Sequence, residues 1–309
     1  MLRQLSARIV EYSLKKPFKI THSTRTVSVV IYVEIIESDI IGKAVSVPYK
    51  RYGETAESVL SQINQIKSEI ESGLSIEKLQ TVLSPGAARN AVDCALLDIN
   101  RQKKNISLEA LIGVPSLPAN HTFEMAYTIG VDSPDKMAIE SESIQETLIK
   151  LKCCGDGYDI ERIKKVREAC PRKQLLVDVN EGWNESNIQT MISVCESLNV
   201  FAIEQPMPAN NDALLAEIKS KIMIIADESC HTSRDLDQLV GKYDMINIKL
   251  DKTGGLTEAV LVYKAATRLG LGIMLGCMVG PELAIKPARS LTHLAEIIDL
   301  DGPMFLATS

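Results

Sequence analysis

Aromatic residues make up only 4% of this 309-residue chain, with Trp183 the single tryptophan. The net charge is −6, and no basic stripe with interleaved aromatics occurs. Both features argue against a nucleic-acid or anionic-membrane partner. No apolar run approaches 18 residues, so no membrane-spanning helix is expected. The seven cysteines, Cys94, Cys153, Cys154, Cys170, Cys195, Cys230 and Cys277, are odd in number and contain no C-x-x-C pair. Neither a disulfide framework nor a zinc site is indicated. The N-terminus carries Arg3 and Arg8 but lacks the apolar segment of a signal peptide, so a reducing cytoplasm is the expected compartment. G-x-G-x-x-G and G-x-x-x-x-G-K-[ST] are both absent, which removes the common nucleotide-binding turns. His22, His121, His231 and His293 are scattered, with no H-E-x-x-H.

What remains is an ordinary globular composition, 45% hydrophobic and 24% charged, long enough for a full core. It divides into two regions, 1–115 and 116–309. In the first, strand-like segments at 7–13 and 27–36 read as an antiparallel hairpin with a long loop over 15–26. Helices are expected at 54–71, at 76–83, and from a Ser84-Pro85 start signal onward. Strands followed by helices make this a small α+β domain. From about residue 122 the pattern alternates. Apolar runs at 126–131, 147–152, 175–179, 200–203, 222–226, 245–248, 273–275 and 296–298 are separated by helical segments at, for example, 159–170, 185–198, 232–240 and 256–269. Eight such units predict a parallel α/β barrel.

Five of these runs end in a charged residue: Lys152, Asp178, Glu204, Asp227 and Lys249, at intervals of 26, 26, 23 and 22 residues. Each interval is about one strand plus one helix, and in such a barrel the C-terminal strand ends share one pocket. Three carboxylates crowded there do not all stay ionised without a cation. Mg²⁺, one per subunit, is the natural partner for Asp178, Glu204 and Asp227. It would accept a substrate carboxylate oxygen and stabilise the charge that develops as the adjacent C–H is deprotonated. Lys152 and Lys249 are the candidate bases. Lys150, on the same strand face, adds positive charge beside Lys152. Two bases on opposite faces would invert a stereocentre.

Several motifs carry a resemblance. Lys150-Leu151-Lys152, Asp178-Val179-Asn180, Glu204-Gln205-Pro206, Asp227-Glu228-Ser229 and Asn247-Ile248-Lys249 with Thr253-Gly254-Gly255 are similar to the motifs of the muconate-lactonizing-enzyme subgroup of the enolase superfamily. The resemblance implies an α/β fold, a modified TIM barrel of (β/α)7β form with an N-terminal α+β capping domain. It also implies lysine bases and a metal-stabilised enediolate. Asp299-Leu300-Asp301 resembles the D-x-D of dipeptide epimerases, where the aspartates bind the substrate α-ammonium. Residues 16–27 resemble the mobile loop of L-Ala-D/L-Glu epimerases, and Arg25 would contact the glutamate side-chain carboxylate. Gly276-Cys277-Met278 also matches and places Cys277 at the substrate. Val47-Pro48-Tyr49, Arg51-Tyr52-Gly53-Glu54-Thr55 and residues 85–91 look like a proteobacterial branch, some members of which carry the name N-acetyl-glutamate racemase.

The expectation is therefore a magnesium-dependent epimerase that inverts the α-carbon of the C-terminal residue of a dipeptide, in cell-wall peptide turnover. Its partner is a small dipeptide, and a homo-oligomer is compatible with the sequence. An N-acyl amino acid racemase, a cycloisomerase and a non-catalytic metal-binding scaffold are the alternatives. Departures from the pattern are Lys43-Ala44, Gly280-Pro281-Glu282 and Lys286-Pro287. His22 falls in the expected lid, Cys153-Cys154 and Trp183 are read as packing, and Asp251 and Lys252 either tune Lys249 or belong to a solvated loop.

Overall fold

The computed structural model describes residues 3–20, 23–118 and 122–308. An antiparallel sheet comes first: β1 (Arg3–Ile20), β2 (Ser23–Glu37) and β3 (Ile40–Ser46), in the order β1-β2-β3. Both faces of β2 are used. Ile31, Val33 and Ile35 are buried against the helices that follow, whereas Val30 packs with Val45, Val47 and Met278, a residue of the barrel mouth. Alternating apolar side chains on a pleated strand make this two-sided burial available.

Three expectations for this region change. The loop over 15–26 is shorter than expected: after a register shift between Ser13 and Phe18, pairing resumes as Phe18↔Arg25, Lys19↔Thr24 and Ile20↔Ser23. Lys15, Lys16 and Pro17 interrupt the apolar alternation and lie within the register shift, where Pro17 has no N–H to give the ladder; beyond it the backbone groups of 18–20 pair regardless of side-chain polarity. His22 lies outside the described residues. The helix expected from Ser84-Pro85 begins later, at Ala87, and runs to Lys104. Its first N–H groups are met from outside, because Glu54 Oε1 accepts from Ala87 N at 2.8 Å. The stretch expected as one helix over 54–71 is two, Ala56–Gln65 and Lys67–Glu71, separated at Ile66 (φ −103°, ψ 11°).

The rest is a parallel sheet of eight strands in sequential order: β4 (Tyr127–Ile129), β5 (Leu148–Lys152), β6 (Gln174–Asp178), β7 (Ala202–Glu204), β8 (Met223–Ala226), β9 (Met245–Ile248), β10 (Gly272–Gly276) and β11 (Ile297–Asp299). A bridge between Met125 and Ile298, with Ala126 N donating to Ile298 O at 2.8 Å, brings its two ends together. Each expected apolar run overlaps one strand. The connections are less uniform. The helix expected over 232–240 is a single 3₁₀ turn, Leu236–Gln238. Asp235 Oδ2 accepts from His231 N and Thr232 N and folds the preceding segment into a turn.

Strand periodicity positions the site. Ala126, Leu148, Leu176, Ala202, Ile225, Met245, Met274 and Ile297 form one buried cluster inside the barrel. Two residues further along each chain, on the same face, stand Thr128, Lys150, Asp178, Glu204, Asp227, Asn247, Gly276 and Asp299. An apolar floor is thus covered by a polar and charged layer at the C-terminal ends.

Candidate active site

The layer is tightly paired. Lys150 Nζ lies 3.0 Å from Asp178 Oδ2, 2.7 Å from Glu204 Oε2 and 2.7 Å from Asp299 Oδ2. Lys152 Nζ donates to Asp178 Oδ2 at 2.5 Å and to Asn180 Oδ1 at 3.1 Å. Across the barrel, Lys249 Nζ donates to Asp227 Oδ2 at 2.6 Å. Asn247 Nδ2 donates to Glu204 Oε1 at 2.7 Å. Gly276 is the one layer position without a side chain, and a Cβ there would stand 2.5 Å from Asn247 Oδ1 and 3.0 Å from Lys249 Cε. Glycine leaves the room those two side chains occupy.

The charges oppose burial unequally. Burial raises the Asp178 carboxyl, but Lys150 and Lys152 outweigh it and hold it well below the usual range. Burial likewise opposes the Asp227 charge, which Lys249 and Lys252 restore. Glu204 has less compensation: burial, with Asp178 beside it, pushes it up to about 7. Burial pushes Glu228 up to about 8 and Asp301 up to about 7. Burial disfavours the Lys150 and Lys249 ammoniums, yet the surrounding carboxylates keep both pKa values above the ordinary lysine value.

Among the described residues, Glu204 Oε2, Asp227 Oδ1 and Glu228 Oε2 are buried without a well-directed hydrogen bond. Lys150 Nζ and Lys252 Nζ stand 2.7 and 2.6 Å from the first two and compensate them only as charges. Buried carboxylate oxygens with spare lone pairs at one strand-end layer fit a hard divalent cation, which Asp178, Glu204 and Asp227 would hold. A second cluster of ligand-type atoms, Cys154, Asp156 and Asp159, is filled by Arg162, which bonds Asp156 and Asp159 at 2.5 and 2.8 Å. That cluster is a structural ion-pair network.

The residues assigned catalytic, metal or substrate roles in the sequence gather at this mouth. Lys150, Lys152, Lys249, Asp299, Asp301 and Cys277 line one pocket, which Arg25 of β2 borders from above with its guanidinium 5.0 Å from the Tyr49 ring centroid. Asp227 also lines it, while Asp178 and Glu204 are wholly buried in its floor. Asp301 Oδ2 accepts from Thr128 N at 2.8 Å. Burial pushes the Cys277 thiol up, away from nucleophilic use.

The sequence left several residues without a settled role. Lys252 is fully buried and donates to the carbonyls of Asp227 and Asn247 at 2.5 and 2.9 Å. Asp251 is also buried, accepting from Val47 N at 2.9 Å and Asn90 Nδ2 at 2.7 Å. Neither belongs to a solvated loop. Asn180, Asn247 and Glu228 join the site beside assigned residues, and the period-2 rule applied back from Lys249 would have found Asn247. Trp183 packs away from the pocket, with Nε1 donating to Asp159 Oδ2 at 2.8 Å. Lys43 and Ala44 lie within β3, where Lys43 faces Glu34 at 3.5 Å. Glu282 begins a short helix and pairs with Arg289.

The comparisons with known proteins agree with this architecture. Residues 4–113 match the mandelate racemase / muconate lactonizing enzyme N-terminal domain, and residues 137–299 match the enolase C-terminal domain-like family. The chain is 41% identical to an L-Ala-D/L-Glu epimerase of Escherichia coli K12, covering 96% of this chain and 92% of that one. It is 38% identical to an N-acetyl-D-glutamate racemase of a Pseudoalteromonas species, over 89% and 87% of the two chains. A crystal structure of an enolase family member from Agrobacterium tumefaciens, with homology to dipeptide epimerases and containing sodium and L-Ala-L-Glu, superposes with a TM-score of 0.95 at 40% identity, covering 99% and 93%. With both regions matched and relatives of this similarity over nearly its full length, the chain belongs to the mandelate racemase / muconate lactonizing enzyme family of the enolase superfamily.

Proposed function

We propose that this protein is an isomerase that inverts the α-carbon of the C-terminal residue of a dipeptide, L-Ala-D/L-Glu in the first instance, by proton transfer between two lysines. The observation that carries the reading is the placement of Lys152 and Lys249. They stand at the ends of β5 and β9, four strands apart in an eight-stranded barrel, so they approach the pocket from opposite sides. Lys152 takes the α-proton on one face, and Lys249 returns one on the other. The reverse reaction exchanges their roles. Asp178, Glu204 and Asp227 would hold Mg²⁺, which when bound would neutralise those carboxylates and supply positive charge for the negative charge gained by the substrate carboxylate.

Lys150, bound to three carboxylates, holds the layer together and keeps a positive charge beside the pocket. Asp299 and Asp301 face the substrate ammonium, and Arg25 its side-chain carboxylate. In this reading the protein acts in the cytoplasm, on peptides released during cell-wall turnover. No helix among the described residues is long and apolar enough to cross a membrane.

The test is direct. With Mg²⁺ and L-Ala-L-Glu in D₂O, the glutamate α-proton signal should decay by NMR, and EDTA should stop the decay. No exchange with any dipeptide of a small library would sink the proposal.

One observation favours a second reading, an N-acyl amino acid racemase. Asp299 Oδ2 is already taken by Lys150 at 2.7 Å, and Asp301 is pushed up to about 7, so the pair offers an ammonium less than two full charges. Asp299→Asn with Asp301→Asn separates the two readings: dipeptide exchange should be lost, while an N-acyl substrate would be processed as before.

A further inference from the structure

The turn that follows Asp178 is unusual in its backbone. Asn180 (φ 45°) and Glu181 (φ 68°) are consecutive non-glycine residues in the left-handed region, a conformation that costs about 1–3 kcal/mol per residue and persists only when its surroundings over-determine it. The turn carries Asn180, whose Oδ1 accepts from Lys152 Nζ at 3.1 Å and whose Nδ2 donates to Glu228 Oε1 at 3.2 Å. Whatever holds the turn therefore sets one of the two partners of the Lys152 amine.

The barrel supplies several restraints: Asn180 N donates to Asp178 Oδ1 at 3.0 Å, Glu181 N to Gln205 O at 2.9 Å, Gly182 N to Val179 O at 3.1 Å, and Ala209 N to Glu181 Oε1 at 2.8 Å. The N-terminal domain adds one of its own. Arg51 grips the Glu181 carboxylate as a fork, Nε to Oε2 at 2.6 Å and Nη2 to Oε1 at 2.8 Å. Arg51 lies in the 3₁₀ turn Lys50–Tyr52, between Tyr49 and Tyr52, both of which line the substrate pocket. Arg51 itself does not line the pocket, while the Glu181 carboxylate is buried beneath it. A bidentate pair fixes direction as well as distance.

We propose that Arg51 and Glu181 form a positioning latch through which docking of the N-terminal domain sets the aim of Lys152 by way of Asn180. No bond of Arg51 reaches the Lys249 side: the Lys249 amine is seated by Asp227 and by the space Gly276 leaves, and the N-terminal domain meets the following segment through other residues, Val47 N and Asn90 Nδ2 at Asp251. The latch is therefore one-sided. It serves the half-reaction of one lysine and leaves the other in place, and in this it rests on the two-base reading above.

Two measurements on Arg51→Ala and Arg51→Lys, the second keeping the charge but losing the fork, test it. The first uses no substrate: hydrogen–deuterium exchange by mass spectrometry on peptides covering 178–184 and 245–250. Both variants should exchange faster than wild type in 178–184 and match it in 245–250. The second follows α-proton exchange of each epimer, with Lys152→Ala identifying the epimer that Lys152 deprotonates. For that epimer kcat should fall roughly tenfold or more in Arg51→Ala, since small misplacements of a catalytic group carry losses of this size. The other epimer should change less than about threefold, and Arg51→Lys should fall between.

Unchanged protection over 178–184, or equal losses for the two epimers, would overturn the latch. If the protection changes as expected while wild type exchanges neither epimer, the two-base reading fails and the latch stands as a determinant of the turn alone.

Discussion

At the scale of single residues, the site is a problem in charge compensation solved with lysines. Lys152 and Lys249 each pair with a different carboxylate, Asp178 and Asp227, on opposite sides of the barrel. Lys152→Ala and Lys249→Ala should therefore each abolish α-proton exchange from a different epimer, by about 10²–10⁴-fold. Loss of neither, followed by NMR in D₂O, would disprove the two-base assignment. Gly276→Ala is a finer probe, because its Cβ would press on Asn247 Oδ1 and Lys249 Cε. The expected result is a native urea midpoint within a few tenths of a molar, with exchange lowered mainly for the epimer that Lys249 deprotonates. An equal fall for both epimers would show that the crowding is not confined to Lys249. The positions of the strand-end charges were legible in the sequence because each closes a short apolar run, at intervals of about one strand plus one helix. Lys252 was only partly legible: beside Lys249 it reads as a tuning charge or as solvated, and only the fold shows the carbonyls of Asp227 and Asn247 turned toward it.

Elements explain where sequence reasoning stopped. The eight barrel strands are short and apolar, so their periodicity shows plainly. The distal half of the β1–β2 hairpin has no such pattern, because it folds over the pocket instead of a core. Its attachment is specific nonetheless. Val131 N donates to Lys19 O and Ala307 N to Ser13 O, at 2.9 and 2.8 Å. Lys16 pairs with Glu140 at 2.5 Å, and Phe18 sets its ring 4.8 Å from that of Phe305. This ring contact ties the hairpin to the segment after Asp301, and both rings line the pocket together with Arg25. An aromatic pair contributes about 0.5–1.5 kcal/mol beyond area burial. Phe18→Ala should accordingly raise KM for the dipeptide about tenfold, while global stability changes little, because the segment lies beyond the register shift and outside the main core. Steady-state kinetics with a urea titration checks both, and an unchanged KM would show that the hairpin does not cover the substrate.

The whole molecule depends on a polar seam between the N-terminal domain and the loop after β9. Arg89 donates to the carbonyls of Thr253 and Gly254 at 2.7 and 3.1 Å, and Asp93 accepts from Thr257 N at 3.0 Å. Asp251, two residues from Lys249, joins Val47 and Asn90 across the same seam. Burial, to which Glu54 adds and which Lys249 opposes, pushes Asp251 up to about 7, well above the value of about 3.9 for a carboxyl in an unfolded chain. The folded state then holds this proton more tightly than the unfolded state between those two values. Its stabilising contribution is complete below about pH 4, declines as pH rises through about 7, and is absent above. Asp251→Asn mimics the protonated carboxyl, and its Oδ1 keeps both hydrogen bonds. In urea titrations of the metal-free protein, the variant should match wild type near pH 4. It should exceed wild type at pH 8 by on the order of 2 kcal/mol, the sign expected when a buried charge is removed without breaking its contacts. A variant less stable than wild type at pH 8 would mean that the ionised Asp251 carboxylate is itself what holds the seam.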